Sequence, residues 1–231
     1  MPPRPTRLGG PLSIEHVVFA ARSHSHVSTA PAALRRMAAS RGVVDAATSD
    51  GEAHYGINTG FGSLSQTRVP AADLRDLQRN LVRSHAAGIG PPLPGEVVRA
   101  TMLLLAASLA RGNSGVRPVV ATRICDLLNA GITPVVPEVG SVGASGDLAP
   151  LAHIALVLIG EGEAFTRAGR RVPGARALRD ANLAPLTLEA KEGLALINGT
   201  HLMAARAALL CHDTNVLFEA ALVATAMSID A

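Results

Sequence analysis

The chain has no tryptophan, a single tyrosine (Tyr55), four phenylalanines, a single lysine (Lys191) and two cysteines (Cys125 and Cys211) in 231 residues. Each shortage removes a class of answer. With aromatic residues at 2% and the apolar content carried by Ala, Leu and Val, packed helices are favoured over a sandwich of aromatic and β-branched strands. A lone lysine cannot complete the GxxxxGK[ST] pattern of a phosphate loop. Two distant cysteines are too few for a disulfide framework or a zinc site, and they fit a reducing compartment. No uninterrupted apolar run reaches membrane-spanning length, since TMLLLAASLA at 101–110 is bounded by Arg99 and Arg111. The opening MPPRPTRLGG has no apolar h-region. The expectation is a cytoplasmic protein that engages no membrane.

What remains is ample for a core, at 48% hydrophobic residues. The net charge of +3 comes from arginines spread from Arg4 to Arg206, with only Arg35-Arg36 and Arg170-Arg171 adjacent. No aromatic residues interleave with them, so a nucleic-acid surface is not indicated and a solvated arginine-rich exterior is. The expected fold is mainly α.

Prolines 2, 3, 5 and 11 predict an extended, loosely ordered start. A helix is expected from Pro31 to a stop at Gly42, followed by a loop in YGINTGFGSLSQTRV. Leu74, Leu77, Leu81 and His85 recur at helical steps from Pro70 onward, which places His85 on an apolar face before Gly88 and Gly90 end the pattern. Further helices are expected over 95–111 and 118–129, the latter closed by Gly131. ITPVVPEVGSVG at 132–143 reads as an extended crossing segment. LAPLAHIALVLIG then forms a helix with Asp147 at its N-cap, AFTRAGRRVPG a small hairpin over Ala168-Gly169, and Thr187 caps a helix through Leu196. A long apolar helix fills 201–229, and its greasy, barely capped end reads as a chain that continues.

The stretch GSVGASGD at 140–147 is open to several readings. It can be a plain turn before a helix, with glycines at positive φ. It can be an anion-binding loop at a helix start, although no P-loop lysine is present. It can be a nucleophile elbow, although Asp147 stands where G-x-S-x-G needs its second glycine. A fourth reading is chemical. If the Gly146 nitrogen closes onto the Ala144 carbonyl carbon and the Ser145 hydroxyl leaves, the product is an electrophilic methylidene-imidazolone, to which alanine and glycine give access and serine gives the leaving hydroxyl. The adjoining helix N-terminus favours electron density on that ring.

GSVGASGDLAPLAH at 140–153 resembles the motif from which the histidine and aromatic amino acid ammonia-lyase family builds this cofactor. YGINTGFG at 55–62, LQRNLVRSHAAGIG at 77–90, RGNSGVRP at 111–118 and KEGLALINGT at 191–200 resemble further family motifs in the same order. The resemblance implies the N-terminal portion of the ammonia-lyase fold, with few short strands: a cofactor-forming domain over 1–199, then the start of a central long-helix bundle over 200–231. It implies that Ala144, Ser145 and Gly146 form 4-methylidene-imidazol-5-one, with Asp147 assisting, and that no external cofactor or metal is needed. Tyr55 matches the base that removes the substrate β-proton; an ordinary phenol has a pKa of about 10, so positive surroundings must stabilise its anion.

Asn198 matches a substrate contact. His85 matches the substrate-ring position, beside its own reading as a core histidine. The Ser84-His85 pair resembles the histidine lyases, and a polar pair suits an imidazole. The resemblance thus implies conversion of L-histidine to trans-urocanate and ammonia, with a tyrosine or phenylalanine lyase or an aminomutase as the alternative. It also implies a homotetramer with shared active sites, about twice this length per chain, and impaired turnover by these residues alone. A helical interaction module that has lost the chemistry is the non-enzyme alternative.

Overall fold

A computed structural model describes residues 5–62, 65–144 and 146–230. The helix that is buried on every side lies at the centre. In α4, Gly95–Leu109, residues on every face are buried, among them Val98, Ala100, Met102, Leu103, Leu105, Ala106 and Leu109, as expected of a helix enclosed by others. Around it pack α1 (Ile14–Arg22), α5 (Pro118–Ala130) and the N-terminal half of α9 (His201–Asp230). α2 (Pro31–Ser49) lies beside α5. A second group, α3 (Leu74–His85), α6 (Leu148–Leu158) and α8 (Glu192–Ile197), packs mutually and carries the candidate site, with the short α7 (Gly174–Asp180) against α6.

The strands are short. β1 (Thr6–Leu8) pairs in parallel with β2 (Val27–Thr29), and β3 (Ile89–Pro92) runs antiparallel to β5 (Pro137–Val139). β4 (Thr133–Pro134), β6 (Glu163–Phe165) and β7 (Arg171–Pro173) form an antiparallel trio, so the small hairpin over Ala168-Gly169 is present. The mainly helical expectation holds. Gly131 closes α5 at φ 72°, as its position predicts.

Several local expectations need correction. From Thr6 the start is ordered, first in β1 and then in α1, which Ser13 opens with a capping box: its hydroxyl accepts from the His16 N–H, and the His16 ring accepts from the Ser13 N–H at 3.1 Å, while Pro2 and Pro3 lie outside the described residues. Gly42 does not stop α2, which continues to Ser49. The glycine faces solvent, where its cost of about 1 kcal/mol is offset by the burial of Met37, Arg41 and Val44 on the opposite side. Thr187 caps nothing. The helix begins only at Glu192, after Lys191 takes φ 71°, and its first free N–H groups, those of Gly193 and Leu194, donate to the Gln78 side chain of α3 at 2.9 and 3.3 Å.

Arg99 holds the first group of helices together. It is 2% exposed and donates to the carbonyls of Ala20 and Ala21 at the end of α1 and of Leu128 at the end of α5. These carbonyls lie at the negative ends of their helices, which favours a cation there. Burial nevertheless pushes the guanidinium down to about 10.

α9 is solvent-facing beyond Leu209, with Val216, Leu217, Phe218, Leu222, Val223, Met227 and Ile229 exposed. The helical stretch Glu192–Asp230 is long and apolar enough, by length and composition, to cross a membrane. Arg206, Asp213 and Glu219 interrupt it, so it contains no unbroken apolar run of that length.

Candidate functional site

The sequence motifs meet because α3, α6 and α8 do. α3 ends in Ser84-His85, α6 begins after the 140–147 loop, and α8 is followed directly by Asn198, whose N–H donates to the Leu194 carbonyl. The chain leaving His85 is tied to the base of the loop. The Gly88 N–H donates to His153 Nε2 of α6 at 3.2 Å, β3 pairs with β5, and a Cβ on Gly140 would lie 3.1 Å from the Gly88 Cα. The Tyr55 loop instead rests on α8, where a side chain at Gly56 (φ 74°) would collide with Leu194 at 2.6 Å.

Within the loop, Gly143 and Gly146 take φ 63° and 81°. Ala144 is exposed, Gly146 half-buried, and nothing stands within 4 Å of where a Gly146 side chain would project. Among the described residues no hydrogen bond engages the Ala144 carbonyl or the Gly146 N–H. These flanks fit a peptide that closes on itself, since the reacting atoms are not committed to helix or strand. Ser145 lies outside the described residues. Asp147 is the N-cap by position, but its side chain does not cap α6. Its carboxylate, 1% exposed, turns back to accept from the Ser141 hydroxyl at 2.6 Å and the Val142 N–H at 2.9 Å.

His85 is not a core histidine. The buried face of α3 is Leu74, Gln78, Leu81 and Val82, while half-buried His85 lines a cleft of about 340 Å³ with Gly60, Phe61, Leu77, Asn80, Leu81 and Ser84. Its Nδ1 lies 2.8 Å from the Leu81 carbonyl and must donate there, which leaves Nε2 as the acceptor of the neutral ring. The Ser84 hydroxyl donates to the same carbonyl at 3.0 Å. Tyr55 is 62% exposed and meets Phe61 edge to face at 6.2 Å, so Phe61 links it to the cleft. Tyr55, Ala144, Gly146, Asp147 and Asn198 do not line that cleft. The mutual packing of α3, α6 and α8 thus brings Ser84-His85, the flanks of the 140–147 loop and Asn198 into one layer, with the Tyr55 loop resting on α8.

The sequence reading passed over the group that joins RGNSGVRP to KEGLALINGT. Glu192, fully buried, accepts from the Arg117 backbone N–H at 3.0 Å, from its guanidinium at 2.9 and 2.7 Å, and from the Glu189 N–H at 2.9 Å. Arg41 stands 3.9 Å away. The Glu192 carboxylate raises the Arg117 guanidinium above its ordinary range. The available signal was an acid and a base in separate motifs, each without a chemical role.

Burial holds half-buried His153 and His201 below the ordinary imidazole range. Between each folded value and the unfolded value of about 6.5, the unfolded chain binds more protons, so stability rises with pH across that window. The urea midpoint should therefore fall between pH 7.5 and pH 5.5, above the range where carboxylates titrate. A midpoint constant over that interval would contradict the burial of these rings.

The aromatic amino acid lyase family matches residues 12–231. The chain is 54% identical over 228 residues to a histidine ammonia-lyase of Anaeromyxobacter sp. (strain K), covering 96% of this chain and 45% of the relative. It is 51% identical to that of Myxococcus xanthus (strain DK1622), covering 96% and 44%. Among solved structures, histidine ammonia-lyase from Trypanosoma cruzi superposes with a TM-score of 0.82 at 36% identity, over 89% of this chain and 39% of that one. Phenylalanine aminomutase of Pantoea agglomerans superposes at 0.87 and 38%, over 94% and 42%. The chain thus spans about 45% of the length of the curated relatives it matches, and over that span it belongs to the aromatic amino acid lyase family.

Proposed function

We propose that the protein is an ammonia-lyase that converts L-histidine to trans-urocanate and ammonia through an electrophile made from Ala144, Ser145 and Gly146. The observation that carries this reading is the 140–147 loop: two left-handed glycines, reacting groups free of secondary structure, and a tie to the end of α3 that carries Ser84-His85. The identity to proteins named histidine ammonia-lyase supports the choice of substrate.

When formed, the methylidene-imidazolone supplies an electron sink that makes the substrate amine a better leaving group. The rest falls to side chains. His85, with Nδ1 committed to Leu81, offers Nε2 as an acceptor for the N–H of an imidazole substrate, and Ser84 adds a hydroxyl beside it. Asn198, exposed at the end of α8, contacts the substrate. Tyr55 takes the β-proton. Its exposure suits a site completed by another subunit of a homotetramer, and the 231 residues alone are read as holding the loop but impaired in turnover.

The 38% identity to phenylalanine aminomutase supports a second reading, in which the same loop serves a tyrosine or phenylalanine lyase or an aminomutase. Assays of the full-length protein on histidine, tyrosine and phenylalanine separate the two. Urocanate from histidine, with Tyr55→Phe lowering kcat by about 10²- to 10³-fold, is the expected result. A β-amino acid product, or turnover of tyrosine or phenylalanine in preference to histidine, would overturn the assignment.

A further inference from the structure

Closing a five-membered ring requires the Gly146 nitrogen to reach the Ala144 carbonyl carbon, and misplaced reacting atoms cost up to about 10²-fold in rate. The two ends of the loop are tied to each other. One oxygen of the buried Asp147 carboxylate accepts from the Ser141 hydroxyl at 2.6 Å and the other from the Val142 N–H at 2.9 Å. The Ser141 oxygen in turn accepts the Gly143 N–H at 3.3 Å. Hydrogen bonds to a carboxylate are the stronger kind. They join residues 141 and 142 to residue 147 across the segment that must fold back, and Gly143 and Gly146 supply the left-handed turns within it, at φ 63° and 81°.

We propose that Ser141 is a positioning residue for the self-cyclisation of this peptide: it clamps the entry of the loop to Asp147 and so holds the Ala144 carbonyl within reach of the Gly146 nitrogen. This rests on the reading of the loop as cofactor-forming. Both Asp147 oxygens accept hydrogen bonds in the clamp, so the carboxylate serves as its anchor. In the reaction a bond forms between the Gly146 nitrogen and the Ala144 carbonyl carbon. The carbonyl oxygen leaves as water with the amide hydrogens of Gly146 and Ser145. A second water takes the Ser145 hydroxyl and its Cα hydrogen. No oxidant or external reactant is needed.

The test follows maturation in the full-length protein by mass and near-ultraviolet absorbance, alongside the thermal midpoint. Trypsin releases residues 124–167 as one peptide carrying the triplet. S141A is expected to lose the two waters about tenfold more slowly than wild type, while remaining folded at the assay temperature. S141T, which keeps the hydroxyl, is expected to restore the rate, and V142A to match wild type, since Val142 contributes only its backbone. Wild-type dehydration rates in S141A would overturn the proposal, as would equal slowing in S141A and S141T with a lowered midpoint. A wild-type peptide that never loses water would instead remove the cofactor reading beneath it.

Discussion

Ser145→Ala is expected to lower kcat by about 10⁴-fold or more, because in the proposed mechanism the whole reaction depends on this group and not on one contributor among several. The reasoning is chemical. Without a β-hydroxyl there is no second water to lose, so the methylidene carbon that accepts the substrate cannot form even if the ring closes. The loss should appear in kcat, with no near-ultraviolet chromophore, and the thermal midpoint should stay at the wild-type value. Turnover within tenfold of wild type would mean that elimination does not use this triplet.

The second large effect concerns stability. Glu192→Gln should destabilise the protein by about 3 kcal/mol. The carboxylate accepts three bonds from Arg117 and one from the Glu189 N–H, and a second guanidinium, Arg41, is near. An amide in its place turns an NH₂ group toward donors, and half-buried Arg117 keeps only the more distant Glu189 carboxylate, at 3.9 Å. Removing one partner of a buried pair costs far more than the pair contributes beyond an apolar substitute. Denaturant unfolding of the full-length protein measures the difference, and a change below about 1 kcal/mol would show that solvent reaching Arg117 replaces the carboxylate.

Much of this architecture could be read from local patterns. Pro118 and Gly131 bracket α5, the prolines and glycines of 132–143 predict the crossing strands, and INGT separates α8 from α9, because each is a signal within a few residues of its effect. The errors arose where distant contacts decide. Gly42 is a helix breaker that burial of its neighbours overrides, and the N-terminus of α8 is capped by Gln78, more than a hundred residues earlier. Ser13 was a local signal passed over among the prolines.

The site divides the same way. Its residue types and order were visible in the motifs, but the side chains that Asp147 and His85 engage were not. Asp147 stands at a cap position, yet its carboxylate serves the preceding loop; His85 falls on an apolar period, yet lines a cleft. Helical spacing places a residue on a face without saying what packs there, and Leu77, on the same spacing, lines the cleft too.

The central claim is that three consecutive residues of this chain become an electrophile. The most direct measurement is the mass of the tryptic peptide 124–167 from mature full-length protein. The account predicts a peptide lighter by two waters, with fragmentation placing the loss at Ala144–Gly146. A peptide of unmodified mass from protein that turns over substrate would contradict it.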